Sequence, residues 1–289
     1  MKHATVILFT MLALAAGLTA QDRKLRIIAI GAHPDDCDIK FGGTAAKFAK
    51  AGHAVKFLSV TNGDAGHHEM GGGMLAKRRY LETQESAKRL GIAEYEVLDN
   101  HDGELTPNLE VRRQIIRAIR KWMADVVIAP RPNDYHPDHR YTGVLVQDAA
   151  YMVVVPNVTP DVEPLHDNPI FIYYQDGFQK PAPFRPDVVV AVDDIWETKV
   201  NGLDAHTSQF YEWLPWVDHR LQEVPKDAAA RKKWLANMRV QPLNDETRAS
   251  LAARYGKEKA ATVKYTESFE LCEYGKRPSL EELRAMFPK

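Results

Sequence analysis

The chain has 289 residues, 45% of them hydrophobic, with 38 Lys and Arg against 39 Asp and Glu. That is enough apolar material for one large α/β domain, or for one domain with a sizeable appendage. A formal net charge of -1 gives no electrostatic case for a nucleic-acid or anionic-membrane partner. Cys37 and Cys272 are the only cysteines, which excludes a disulfide framework. One bridge between them stays open in an oxidising compartment, while Cys37 alone reads as a small buried residue.

Residues 1–20 carry basic Lys2, an apolar run over 6–16 and small residues up to Ala20. That pattern reads as a secretory signal peptide and is short for a membrane span. A mature chain starting near Gln21 is therefore expected in the periplasm or outside the cell, with no stable span once the signal is removed. Residues 25–30 have the length and branched residues of a buried strand, and Gly31-Ala32-His33-Pro34-Asp35-Asp36 follows directly. Phe41, Ala45 and Phe48 then recur at helical spacing. Residues 54–60 predict a second strand, ending in the turn-rich Thr61-Asn62-Gly63-Asp64-Ala65-Gly66 and the loop His67-His68-Glu69. A helix over 74–90 is closed by Gly91, a common helix stop.

A short strand over 95–98 leads to a loop holding Asp102. In the next helix Leu109, Val111, Ile115, Ile119 and Trp122 form one apolar stripe. Arg112, Arg113, Arg117, Arg120 and Lys121 are expected on its solvated face. Residues 125–130 give a fourth strand, and His136-Pro137-Asp138-His139 comes soon after it. A helix over 142–151, strands over 170–174 and 188–192, and a helix over 197–209 follow. The segment 210–216 is aromatic-rich; beyond it come helical stretches over 227–238 and 245–255 and a late strand over 268–272. No internal repeat appears beyond the doubled His-Pro-Asp.

Strands alternating with helices predict a Rossmann-like, doubly wound, mainly parallel sheet in three layers. The expected domain covers residues 21–215, with a helical C-terminal extension, 216–289, packed on it. In the strand order 3-2-1-4-5 the first and fourth strands are neighbours, and ligands bind where the chain reverses between them. Both His-Pro-Asp segments follow those two strands. His33, Asp36 and His139 would then meet as two imidazoles and one carboxylate, a catalytic zinc pattern with one open position. The same triad also suits Fe2+, so an oxygenase is a rival reading.

Together, His33-Pro34-Asp35-Asp36 with Gly42-Gly43-Thr44, the 61–66 loop, His136-Pro137-Asp138-His139 and Ala205-His206-Thr207-Ser208-Gln209 resemble the PIG-L/LmbE family of zinc-dependent de-N-acetylases. The resemblance implies removal of an acetyl or related acyl group from an amino sugar or glycoconjugate. It implies Zn2+, with Fe2+ as the other candidate, held by His33, Asp36 and His139. Asp35 resembles the general base, and His136 the histidine that stabilises the oxyanion or protonates the leaving amine. Asp138 would orient one of the histidines. Arg79 and Asp102 match substrate-contacting residues, and Asp64 is grouped with them. Cys37-Asp38 and the His67-His68-Glu69 loop depart from the common pattern. The partner is a small molecule or glycan bearing an N-acetylated amino sugar, and an oligomer is compatible with the sequence. An amidase on a sugar–thiol or other N-acyl conjugate, and a non-catalytic sugar-binding homologue, are the alternatives.

Overall fold

A computed structural model describes residues 23–238 and 243–289. The expected signal peptide and the mature start near Gln21 lie outside the described residues. The elements in chain order are β1 (Arg26–Gly31), α1 (Asp36–Lys50), β2 (Ala54–Ser59), α2 (Gly72–Leu90), β3 (Glu94–Val97), α3 (Leu109–Trp122) and β4 (Val126–Ala129). They continue with α4 (Pro137–Met152), β5 (Ile170–Tyr174), β6 (Val188–Ala191), α5 (Trp196–Ala205), α6 (Leu214–Val217) and α7 (Ala228–Met238). The last are α8 (Asp245–Tyr255), α9 (Lys257–Thr262), β7 (Thr266–Gly275) and α10 (Leu280–Met286).

The sheet runs β3-β2-β1-β4-β5-β7-β6, and β1 to β5 pair in parallel. Side chains alternate between faces along a strand, so β1 feeds two cores. Ile27 and Ala29 pack with Phe41, Phe48 and Phe57 on the α1 side. Ile28 and Ile30 pack with Ile115, Ile119 and Leu145 on the α3 and α4 side. Fully burying a side chain such as Phe41 stabilises the fold by about 2 kcal/mol, so both layers are anchored to β1. This is the expected three-layer α/β sheet.

The C-terminal segment is more than a helical cover. β7 lies antiparallel between β5 and β6, and Leu283 and Phe287 join the core around Phe48 and Phe269. Tyr173 and Tyr174, adjacent on β5 and facing opposite sides of the sheet, explain the cysteines. Cys37 meets Tyr174 in one core, and Cys272 meets Tyr173 in the other. The sheet separates the two thiols, and both are free.

The basic face of α3 needs one correction. Arg120 is buried, and its guanidinium donates to the six carbonyls of Met152, Val153, Val155, Val158, Thr159 and Val162. It gathers the chain that leaves α4, satisfying carbonyls that would otherwise be buried without donors. Leu109, expected in the apolar stripe, is instead exposed at the helix start.

Candidate active site

β1 and β4 are paired in register, Ile27 with Val126 and Ala29 with Ile128. Their C-terminal ends therefore lie side by side, where the chain has crossed back from β3. The loop after each strand carries one His-Pro-Asp segment. His33 lies ahead of α1, so a shared helical face is not what brings it to Asp36. A tight turn does: the amides of Asp35 and Asp36 both donate to the His33 carbonyl. Asp36 Oδ2 in return accepts from the amides of Ala32 and His33, each at 2.9 Å. Gly31 permits this fold-back, because a Cβ there would sit 2.6 Å from Asp36 Cβ. On the other segment α4 begins earlier than its apolar pattern, at Pro137, with the His136 ring accepting from the Asp138 amide as its cap. Proline suits the first helical position, where no amide is needed.

Three donor atoms converge. His33 Nδ1 lies 3.1 Å from His139 Nε2. Asp36 lies 3.6 Å from His33 Nδ1 through Oδ2 and 3.4 Å from His139 Nε2 through Oδ1. The outer nitrogen of each ring is committed to carboxylates, which only accept. His33 Nε2–H donates to Asp138 Oδ2 at 3.3 Å and lies 3.1 Å from Asp102 Oδ1. His139 Nδ1–H donates to Asp134 Oδ1 at 3.0 Å. The inner nitrogens thus present lone pairs to each other and to a carboxylate, a set that only a cation reconciles. Tetrahedral zinc with bonds of about 2.0–2.1 Å needs ligand atoms about 3.3 Å apart, so the donor set fits a divalent ion.

Other groupings have a different explanation. His33, His136 and His139 also lie within 4.8 Å of one another, as do His33, Asp102 and Asp138. His136 Nδ1 accepts from a backbone amide, so its neutral ring carries the hydrogen on Nε2 and donates rather than ligates. Asp102 and Asp138 share the single Nε2–H of His33, and Asp138 also accepts from the Gly103 amide at 2.7 Å.

The charges agree with this division. Burial works against a positive His33, but Asp102, Asp138 and Asp36 outweigh it and raise its pKa well above the ordinary value. Burial likewise opposes a charged His139, and Asp36 with Asp134 overcomes it. Surroundings that favour a proton on these rings favour a metal ion in its place. Burial raises the Asp35 carboxyl, with Arg79 opposing and Asp36 reinforcing. Burial, then His33 and His139, lower His136, so it stands neutral at pH 7.

Arg79, Asp102 and Asp64, the expected substrate residues, are all buried. Arg79 is only 2% exposed. It donates to Asp35 Oδ1 at 3.2 Å, Pro34 O at 3.3 Å and Gly63 O at 3.2 Å, and it lies 3.6 Å from Asp102. It braces the Asp35 carboxylate from behind. Gly63 has φ 71° and passes so close that a Cβ would strike the guanidinium. Asp64 accepts from the Asp102 amide at 3.0 Å and pairs with His101 at 2.6 Å, so it shapes the loop carrying Asp102. Asp102 itself backs His33.

Three further carboxylates support the site, of which the sequence marks only Asp38, as a departure from the family pattern. Asp134, two residues ahead of His136, orients His139. Glu82 accepts from Thr207 Oγ1, Ser208 N and Ser208 Oγ, which pins the segment after α5 to α2. Asp38 accepts from Tyr95 OH at 3.0 Å and lies 3.2 Å from His206 Nε2. Position relative to the motifs signals Asp134, while nothing local signals Glu82 or the partners of Asp38.

A sequence profile of the PIG-L family, described as GlcNAc-PI de-N-acetylase, matches residues 28–150. The chain is 34% identical over 203 residues to a diacetylchitobiose deacetylase of Thermococcus kodakarensis, covering 66% of this chain and 73% of the relative. It is 33% identical over 159 residues to a 1D-myo-inositol 2-acetamido-2-deoxy-alpha-D-glucopyranoside deacetylase of Kineococcus radiotolerans, covering 43% of this chain and 44% of that protein. Among solved structures, the N,N'-diacetylchitobiose deacetylase of Pyrococcus horikoshii is similar with a TM-score of 0.63 and 27% identity, over 85% of this chain and 83% of that one.

Proposed function

The chain belongs to the PIG-L family of de-N-acetylases, and from that premise we propose that it is a zinc enzyme hydrolysing the N-acetyl group of an amino sugar in a glycan or glycoconjugate. Membership makes it a metal-dependent hydrolase of amide bonds and sets aside the oxygenase reading of the same triad. The observation that carries the proposal is the convergence of His33 Nδ1, Asp36 and His139 Nε2 at 3.1–3.6 Å, with their outer contacts already assigned.

His33, Asp36 and His139 would hold the ion, which when bound acidifies water and polarises the acyl carbonyl. Asp35 removes the proton from the attacking water, its raised pKa allowing it to keep that proton until the amine leaves. Arg79 fixes the carboxylate in place and limits how far burial raises it. His136 donates its Nε2–H to the carbonyl oxygen as negative charge develops there, with Asp138 N–H holding the tautomer. Removing one such donor costs other enzymes about 10²–10³ in rate. Asp102 and Asp138 keep His33 aligned by sharing its outer N–H.

The test is acetate release from a panel of N-acetylated amino sugars and their conjugates by the zinc-loaded protein. Release is expected from at least one sugar, lost on chelation and restored by zinc. Absence of release from every sugar, with the metal bound stoichiometrically, would refute the reading. The leader-like residues 1–20 support an exported enzyme, and thus a periplasmic or extracellular glycan or an antibiotic-like amino sugar as substrate. Recovery of the native protein from the cytoplasmic fraction alone would overturn export.

A further inference from the structure

Next to the metal site lies a cavity of about 310 Å³ that the chemistry above leaves unused. It sits where α1, α5, the start of α8 and the first residues of β7 meet the loop after β5. That volume falls within the range of small-molecule sites, about 300–1,000 Å³. The cavity shares Lys40, Gln175 and Asp176 with a narrow crevice that reaches Asp36 and His139. Lys40 lies one turn beyond Asp36 on α1 and donates to the Gln175 carbonyl at 3.1 Å. The cavity thus adjoins the metal ligands but is lined by none of them.

Its wall carries more positive charge than it neutralises, because both carboxylates are spent. Glu267 accepts from the Gly43 and Thr44 amides at 2.9 and 2.7 Å and from Lys199 Nζ at 2.6 Å. Asp176 accepts from two nitrogens of Arg131 at 2.6 and 2.5 Å and from the Phe178 amide at 2.9 Å. Lys40 and Lys264, by contrast, have no ion-pair partner among the described residues. An ammonium has three donors, so Lys40 keeps some to spare beyond Gln175. Ser268 gives an independent sign. It lines the cavity at 1% exposure, and its Oγ has no hydrogen-bond partner among the described residues. A buried hydroxyl left unbonded is costly, and a polar ligand would supply the missing bond. Ile39, Leu203 and Trp196, which stacks on Tyr265 at 3.9 Å, make the rest of the wall apolar.

We propose that this cavity is a second ligand site, distinct from the metal centre, for a small organic anion. The ligand is a carboxylate or a phosphate ester on a body about the size of one sugar ring. Lys40 and Lys264 meet the anionic oxygens, the Ser268 hydroxyl takes a further polar atom, and the Trp196 side covers the carbon body. The Lys40–Gln175 contact belongs to the wall between cavity and crevice, so the ligand comes from solution and is not joined to the molecule being hydrolysed. The inference does not need the deacetylase reading.

Calorimetry on the zinc-loaded full chain tests this with gluconate, glucose 6-phosphate and neutral glucose as probes. At least one anion is expected to bind about tenfold more tightly than glucose. Gluconate alone supports a carboxylate ligand, and glucose 6-phosphate alone supports a phosphate ester. Lys40→Gln and Lys264→Gln should each weaken that anion about fivefold, since each removes a charged donor, and Lys264→Arg should keep most of the affinity. Ser268→Ala should also weaken binding without lowering the melting temperature of the ligand-free protein, because the hydroxyl it removes has no partner there. Anions that bind no better than glucose, or that bind undiminished in both lysine variants, overturn the site. Binding that vanishes when the metal is chelated puts the anion on the ion and overturns the site equally. Acetate release is not among these readouts, so the site and the deacetylase reading fail separately.

Discussion

Asp35→Asn should retain its full complement of metal and lose about 10³–10⁴ of its turnover, the upper range for removal of a general base. The substitution keeps shape and one acceptor oxygen, so the Arg79 contact at 3.2 Å can persist and the turn that positions Asp36 is untouched. What disappears is the ability to take a proton. Asp35 is not among the three converging donors, so metal content per chain should match the parent while acetate release collapses. The loss should fall on kcat rather than KM, because the acid is needed in the transition state and not for holding the sugar. Near-normal turnover with metal bound would remove Asp35 from the mechanism.

Why the base could be read from sequence, and its support could not, follows from the kind of information each needs. β-branched runs at 26–30 and 126–129, each followed by His-Pro-Asp, announced two strand ends carrying similar chemistry, and parallel-sheet topology forces such ends together. Arg78 and Arg79 show the opposite case. They are chemically identical neighbours on α2, and about 100° of helical rotation separates them. Arg78 reaches Glu212 near the surface, whereas Arg79 is buried against Asp35. Only the packing of α2 against the 61–66 loop decides which is which. Arg120 escaped for a related reason: a solvated arginine and one capping six carbonyls look alike in a helical repeat. The entry of β7 between β5 and β6 depends on pairing across almost a hundred residues, which no local period encodes. The outer partners of the ligands fall between these extremes. Asp138 was visible inside its motif, while Asp134 needed the ring orientation of His139 to be seen.

That orientation sets the second large effect. His139→Ala should lose both metal and activity, and added zinc should not rescue it. With the ring gone, only His33 and Asp36 remain of the converging set, and two protein donors do not make a catalytic zinc site. The variant also takes the ring partner from Asp134, leaving its Oδ1 only the His136 amide at 3.0 Å. Asp134→Ala provides the contrast that isolates ligation from mere disturbance. It keeps the imidazole but releases the Nδ1–H bond at 3.0 Å, so metal affinity should fall by about 10–100-fold and activity should return as zinc is raised. Bound metal after dialysis, followed by turnover against added zinc, separates the two variants on one plot. Stoichiometric metal in His139→Ala would mean that the third ligand is another residue, with His136, already within 4.8 Å of His33, the first to be replaced next.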